Sequence, residues 1–247
     1  MARSVLKKTR RALLNQAALV TGATRGIGLA IARALAAEGC KLILTGRDEQ
    51  ALRRVRREFS SARIQIVAQP SDVRDPQSVE DLFLVIRAKF KRLDILINNA
   101  GIAHANFPVE TLPLSLWKDV IDTNLTGMFL VTQASLPLMK RGGTIVNNLS
   151  IVANRVFAGS AAYIASKHGA LGLTNTLREE LRPRGIRVIA LLPGATDTAI
   201  WNTFWPEAPR KKMMSPATIA QSVANAILLP ANATVETLEI LPTAGLL

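Results

Sequence analysis

Short apolar runs alternate along the chain with longer segments in which apolar positions recur every three or four residues. Residues 17–21 are apolar up to a closing threonine and end at Gly22, which predicts a strand buried on both faces. Residues 26–38 carry Ile27, Ala30, Ile31, Ala34 and Leu35 at helical spacing before Gly39, a residue suited to ending a helix. The same reading predicts strands at 41–45, 64–68, 95–97, 144–149, 187–192 and 237–241. It predicts helices at 49–59, at 78–90 after Pro76, at 161–181 and within 216–229. A long helix over 116–139 is expected to be interrupted near Gly127 and Pro137. Short Val/Ile/Leu-rich strands separated by helices require a parallel sheet covered on both sides, so the predicted class is α/β, one doubly wound domain over 16–247. Residues 1–15 read as a basic arm, flexible or weakly helical.

Composition leaves this picture in place. Of 247 residues, 49% are apolar and 20% charged, ample for a core of this size. One cysteine, Cys40, excludes an internal disulfide and a cysteine metal cluster, and fits the reducing cytoplasm. No metal site is expected. The longest uncharged run, 213–235, contains two prolines and several polar residues, so no membrane span is expected. Nor do the N-terminal cations precede the apolar segment of a secretory signal.

Charge adds a question. The formal net charge is +13, with a cluster of Arg47, Arg53, Arg54, Arg56, Arg57 and Arg63 near only three carboxylates, Asp48, Glu49 and Glu58. Such a surface attracts anions, but aromatic residues are sparse and no zinc-finger spacing or other nucleic-acid motif accompanies it. No nucleic-acid partner is expected.

Two local patterns carry chemistry. Thr21-Gly22-Ala23-Thr24-Arg25-Gly26-Ile27-Gly28 sits between a predicted strand and helix, where glycines permit a tight turn and close approach to a pyrophosphate. The second predicted strand ends at Gly46-Arg47, where an NAD site commonly has a carboxylate for the ribose; a guanidinium there, with Arg25, favours the 2′-phosphate of NADP(H) over NAD(H). The other pattern is Tyr163 and Lys167, four apart on one predicted helix face, with Ser150 upstream. Tyr163 is the chain's only tyrosine. An ammonium beneath a phenol lowers its pKa from about 10 towards neutrality.

With these residues in view the chain resembles the short-chain dehydrogenase/reductase family, from about residue 16 to its end. Thr21 to Gly28 matches the family's T-G-x-x-x-G-x-G turn, Asn98-Asn99-Ala100-Gly101 its N-N-A-G motif, and Pro193-Gly194 with Thr198 its P-G-x-x-x-T segment. Asn124, Ser150, Tyr163 and Lys167 match its catalytic tetrad in order and spacing. The resemblance implies a Rossmann-type fold. It places the dinucleotide against Gly22, Thr24, Arg25, Gly26, Ile27 and Gly28, then Arg47, Asp72 and Val73, then Asn98, Tyr163 and Lys167, and finally Pro193, Gly194, Thr196 and Thr198. Two features depart from the pattern. The C-terminus lacks the paired glycines of many members that reduce acyl-carrier substrates, and the basic arm has no counterpart.

The implied activity is an NADPH-dependent carbonyl reductase or alcohol dehydrogenase acting on a ketone, aldehyde or secondary alcohol. Ser150 would hold the substrate oxygen, Tyr163 exchange its proton, Lys167 hold the nicotinamide ribose, and Asn124 hold a water linking Lys167 to solvent. Neither His104 nor His168 has an assigned role. Ile200, Trp201, Phe204 and Trp205 follow Pro193-Gly194 where relatives carry a flap, and fit either an apolar substrate or a neighbouring subunit. A homodimer or homotetramer built on the helices 116–139 and 161–181 is implied. Two other readings stand beside this one, an NAD-dependent secondary-alcohol dehydrogenase and a non-catalytic dinucleotide-sensing or nucleic-acid-binding regulator.

Overall fold

Strand β1 (Ala17–Thr21) is buried at every position, as an apolar run with helices on both sides should be. A computed structural model describes residues 11–246 of the chain. The strands following β1 are β2 (Lys41–Gly46), β3 (Ile66–Pro70), β4 (Leu93–Asn98), β5 (Met139–Asn148), β6 (Arg187–Pro193) and β7 (Thr237–Ile240). All pair in parallel, in the order β3-β2-β1-β4-β5-β6-β7. The chain runs outward from β1 to β3, then crosses back to β4. Ligands of doubly wound sheets bind at such a reversal, outside the carboxyl ends of the strands.

Alternation along each strand assigns its side chains to two helical layers. Ala18, Val20, Leu42, Leu44, Ile95 and Ile97 share a core with α1 (Gly26–Ala37), α2 (Glu49–Glu58) and α8 (Pro216–Ile227). Leu19, Ile43, Leu96 and Ile145 face α3 (Pro76–Lys89), α5 (Gly127–Ser135) and α6 (Ala161–Leu181). Each fully buried Leu or Ile stabilises the fold by about 1.5–3 kcal/mol. The helices begin where local chemistry allows: Asp48 accepts from Ala51 N, Asp75 from Gln77 N ahead of Pro76, and Ser215 from Thr218 N ahead of Pro216.

Four expectations needed revision. β3 is displaced by two residues, because its register is set by pairing Leu42 with Ile66 through Gly46 with Pro70; as an edge strand it tolerates the proline. The expected helix over 116–139 is divided into α4 (Leu114–Ile121), a π-helical turn (Asp122–Thr126), α5 and a 3₁₀ turn (Leu136–Leu138). Breaks near Gly127 and Pro137 were expected. At Gly127 the helix approaches Val73 so closely that a Cβ would lie 2.6 Å from its Cγ2. β5 starts early, with Met139 against Leu93 and a register shift before Ile95. Finally, the folded body begins before residue 16: Leu13 is buried and its amide donates to Glu38 O at 3.1 Å. The rest of the basic arm, residues 1–10, lies outside the described residues.

Candidate active site

A cleft of about 760 Å³ opens over the carboxyl ends of the strands. Its floor on one side is the glycine turn after β1. Gly22 (φ 61°) and Gly26 (φ 57°) occupy left-handed conformations that favour glycine. The turn is clamped by Asn99, whose Nδ2 donates to Thr21 O at 2.9 Å and Gly22 O at 3.1 Å while its Oδ1 accepts from Asn148 Nδ2 at 2.8 Å. Thr21 Oγ1 in turn accepts from the amides of Asn99 and Ala100. Backbone after β1, β4 and β5 is thereby tied together at the switch point.

The walls of this half suit an anion. The first turn of α1 has neither a side-chain cap nor an acidic residue, which leaves its amides available. Arg25 and Arg47 line the cleft, are exposed, and make no side-chain hydrogen bond or ion pair among the described residues. Asp72 also lines it, but its carboxylate is held by Arg74 at 2.7 Å, and Arg74 also pairs with Asp119. That hydrogen bond, aided by the charge of Arg47, holds the Asp72 carboxyl below its usual range. Thr24, Ile27 and Val73 complete this part of the wall. Three buried oxygens of residues lining the cleft, Thr45 Oγ1, Thr123 Oγ1 and Asn148 Oδ1, lack a protein partner among the described residues. A cleft of this size with unpaired arginines, free helix amides and orphaned polar atoms fits a dinucleotide.

Two expected cofactor residues do not reach the cleft. Asn98, 4% exposed, stitches the sheet to α5 by donating to Thr132 Oγ1 at 2.9 Å and Asn147 Oδ1 at 2.8 Å. Strand alternation turns Asn98 inward and leaves Asn99 at the turn. Gly28 is buried behind the turn, where a Cβ would lie 2.3 Å from Asn99 Nδ2.

On the other side of the switch point stand Ser150, Tyr163 and Lys167. Ser150 follows β5 and starts a 3₁₀ turn (Ile151–Ala153), accepting from Val152 N at 3.3 Å. Its side chain acts on the Tyr163 phenol to favour the ionised form. One helical turn beyond Tyr163, Lys167 Nζ donates to Asn148 O at 3.0 Å and lies 5.6 Å from the centroid of the Tyr163 ring. The expected lowering of the phenol by the ammonium does not prevail in the protein alone. Burial pushes Tyr163 up to about 12 against the opposing bond from Ser150, and burial pushes Lys167 down to about 8. Both groups leave water at the same place, and desolvation penalises both charged forms.

Asn124 sits in the π turn, outside the main cleft. Its Nδ2 donates to Ile102 O at 2.9 Å and Ser166 Oγ at 3.0 Å, and its Oδ1 accepts from Ile102 N at 2.8 Å. Both amide protons are therefore committed, and only a second Oδ1 lone pair is left for the expected water. Gly101 separates it from Lys167: a Cβ there would lie 3.3 Å from Asn124 Oδ1 and 3.7 Å from Lys167 Nζ.

The segment after β6 closes the cleft. Pro193, Gly194, Thr196 and Thr198 all line it, and Thr198 reaches the glycine turn, where a Cβ on Gly26 would lie 3.2 Å from its Cγ2. A short helix α7 (Trp201–Phe204), absent from the sequence reading, brings Phe204 to 6.2 Å from the Tyr163 ring. Trp201 packs edge-on against Phe204 and donates from Nε1 to Thr196 O at 2.8 Å. Arg210 holds the segment from outside through Thr198 O, Asp197 Oδ1 and Asn202 Oδ1.

Sequence reasoning missed Asn99, Asn148, Phe157 and Leu246, all of which line the cleft. Asn99 alone had a signal, as the second member of an asparagine pair at a strand end. His104, which had no assigned role, is 1% exposed and accepts from Tyr163 N at 3.4 Å. His168 is exposed, with Nδ1 at 3.1 Å from Ile164 O. Among the described residues no cluster of metal-ligating side chains occurs, and no helix is long and apolar enough to cross a membrane.

A family model described as short chain dehydrogenase matches residues 16–208. The chain is 35% identical over 236 residues to sulfoacetaldehyde reductase 2 of Chromohalobacter salexigens, covering 91% of this chain and 93% of the relative. Among solved structures, the alcohol dehydrogenase of the archaeon Thermococcus sibiricus, complexed with 5-hydroxy-NADP, superposes with a TM-score of 0.86 at 31% identity, over 92% of this chain and 97% of that one. A 3-ketoacyl-(acyl-carrier-protein) reductase of Brucella melitensis complexed with NADH does so with a TM-score of 0.85 at 29% identity, over 94% and 98%.

Proposed function

The chain belongs to the short-chain dehydrogenase/reductase family, and on that premise we propose that it is an NADPH-dependent carbonyl reductase. The class as a whole couples a nicotinamide cofactor to carbonyl or alcohol groups. The observation that carries the finer reading is the division of one cleft: Ser150, Tyr163 and Lys167 stand at one end and the unpaired Arg25 and Arg47 at the other.

When bound, the reduced nicotinamide supplies the hydride. The protein's own residues handle the oxygen. Ser150 and Tyr163 hydrogen-bond the substrate carbonyl and place its carbon over the cofactor's end of the cleft. The phenol, kept protonated by burial, is the proton donor, and its proton passes to the oxygen as negative charge develops there. Lys167, one turn away, steadies the phenolate that remains and holds ribose hydroxyls. Asn124 acts by fixing the Ile102 backbone and Ser166, and so the wall behind Lys167.

The cofactor preference rests on charge. Nothing acidic ends β2, Asp72 is neutralised by Arg74, and Arg25 and Arg47 are free to grip a 2′-phosphate with charge-assisted bonds. The NADP-type ligand of the Thermococcus relative supports this reading; the NADH of the Brucella relative keeps an NAD-dependent alcohol dehydrogenase as the second. Gly22, Thr24, Gly26, Ile27, Val73, Pro193, Gly194, Thr196 and Thr198 are proposed to contact the dinucleotide, with Gly28 and Asn98 supporting them from behind. We place the protein in the cytoplasm as a homo-oligomer, the exposed Leu114, Trp117 and Phe129 on α4 and α5 supplying apolar contact surface.

Steady-state kinetics with a carbonyl panel and both cofactors tests the reading. Tyr163→Phe is expected to lower kcat by about 10²–10⁴-fold. Arg47→Ala should weaken NADPH by about tenfold or more and leave NADH unaffected. A preference for NADH in the unaltered protein would remove the phosphate-clamp argument.

A further inference from the structure

We propose that the substrate is an uncharged ketone or aldehyde with an apolar, preferably aromatic, body seated on the α7 segment. This rests on the carbonyl-reductase reading of the cleft and narrows it.

The sheet order separates charge along the cleft. Arg25, Arg47 and Asp72 follow β1, β2 and β3, all on the same side of the switch point. Among the described residues, the ionisable side chains lining the cleft beyond β4 are Tyr163 and Lys167 alone. Lys167 is buried and already donates to Asn148 O. Of the charged side chains near this end that do not line the cleft, Arg155 pairs with Glu239 at 2.8 Å and Arg210 with Asp197 at 2.9 Å. An anionic group brought to this end would lose hydration without gaining a partner.

Aromatic and aliphatic groups form the walls there. Phe204 tilts against the Tyr163 ring, Trp201 backs Phe204 edge-on, and Val152, Phe157 and Leu246 also line the cleft. The Trp201 indole N–H is spent on Thr196 O, and Ser160 Oγ is spent on Asn106 Oδ1. The Ser150 and Tyr163 hydroxyls are enough to hold one carbonyl oxygen, and the other polar side chains lining this end, Asn106, Asn148 and Thr203 among them, are uncharged. Trp205 and Phe157, 40% and 38% exposed, extend the apolar surface to the mouth. An anionic substrate such as the sulfonated aldehyde in the name of the Chromohalobacter relative finds no unpaired cationic seat here among the described residues.

The test compares an aryl methyl ketone with its para-carboxylate and with a short sulfonated aldehyde, all with NADPH. The expected kcat/KM for the neutral ketone exceeds that of either anion by about 100-fold or more, and Phe204→Lys narrows the gap by raising turnover of the carboxylate. Phe204→Ala should raise KM for the aryl ketone several-fold while sparing a small aliphatic ketone. Equal or better turnover of the anions overturns the substrate class and leaves carbonyl reduction standing. No NADPH oxidation with any member of the panel overturns both.

A separate observation concerns His104, and we infer that it is a positioning residue for Tyr163. Ser160, the N-cap of α6, makes no side-chain bond to its own helix. Tyr163 N, one of the amides a helix start leaves orphaned, instead donates to His104 Nε2 at 3.4 Å. His104 Nδ1 lies 2.6 Å from Ala105 O. This pair of partners selects the tautomer protonated at Nδ1, accepting at Nε2. The same loop is seated on the helix start by Phe107 N, which donates to Gly159 O at 2.9 Å. The imidazole therefore sets the backbone of the residue whose phenol must meet Ser150.

His104→Gln, which can place an acceptor near Nε2, is compared with His104→Leu. The Leu variant is expected to lose about tenfold or more in kcat with NADPH affinity and KM nearly unchanged, and Gln to recover most of it. Circular dichroism establishes that both are folded. Equal kcat in Leu and Gln variants, whether both normal or both low, overturns the assignment. If Leu does not fold, His104→Asn replaces it, with an acceptor too short to reach Tyr163 N and the same expected loss.

Discussion

Gly28→Ala is expected to damage both stability and cofactor binding, although the position lies outside the cleft and in an ordinary helical conformation. An added Cβ would lie 2.3 Å from Asn99 Nδ2 and 2.5 Å from Gly22 O. A carbon and a carbonyl oxygen ordinarily approach no closer than about 3.3 Å, so the helix or the turn must yield by nearly an ångström. Neither neighbour is free to move alone, since Asn99 Nδ2 donates to Thr21 O and Gly22 O and its Oδ1 accepts from Asn148. Overpacking of this kind costs about 1–3 kcal/mol, and displacing Asn99 forfeits up to three bonds worth about 0.5–1.5 kcal/mol each. With partial relaxation the loss is about 3 kcal/mol, a fall in Tm of about 6–12 °C for a chain of this size. Thermal unfolding followed by circular dichroism reads the stability, and NADPH fluorescence reads the affinity. Gly172→Ala is the control, because nothing lies within 4 Å of a Cβ there and the helix interior gains up to about 1 kcal/mol. A Gly28→Ala protein that melts within about 2 °C of the parent and binds NADPH unchanged would refute the packing argument.

Lys167→Met should flatten the dependence of stability on pH. The unfolded chain keeps the ordinary lysine pKa of 10.5 while burial lowers the folded value to about 8, so the charge penalty is full below 8 and gone above 10.5. Stability of the unliganded parent therefore rises with pH through that window, by about 3 kcal/mol in total, and urea midpoints between pH 8 and 10 read it. Above 10 the raised Tyr163 acts oppositely, its contribution fading towards 12. A parent protein with level midpoints over pH 8–10 would contradict the burial of Lys167. Arg210→Ala removes three bonds to the α7 segment and is expected to raise substrate KM several-fold with little change in Tm. An unchanged KM would mean the segment is held by its aromatic contacts alone. Asp94→Ala strips the buried Ala17 amide of its acceptor at 2.9 Å and should cost about 1–3 kcal/mol, seen as a lowered urea midpoint.

Local pattern was enough wherever a residue's role depends on its near neighbours. The uniformly buried 17–21 run, the glycine turn and the 161–181 helix appear at the expected positions, because strand burial, positive φ and helical spacing are properties of a few consecutive residues. The pairing of Tyr163 with Lys167 on one helix face was legible for the same reason. Ser150 entered through its place in a family pattern, and the structure places it on the cleft with Tyr163.

Other features depend on distant parts of the chain. Asn98 and Asn99 are indistinguishable as letters, and only the pairing of β4 with β5 turns one into the core and the other to the phosphate turn. β3 slid by two residues because a neighbouring strand sets its register. Phe204 meets Tyr163, and His104 takes the Tyr163 amide, across separations that periodicity does not encode. The expected effect of Lys167 on the phenol was a pairwise Coulomb argument. The fold buries Lys167 and partly buries Tyr163, and desolvation shifts each against that attraction. The sequence by itself thus determined the layered α/β architecture and the placing of Tyr163 and Lys167 on one helix face. Tertiary structure decided the direction in which burial shifts these two groups, the aromatic wall beside them and the asparagine that holds the turn, because burial and proximity are sums over neighbours that folding alone brings together.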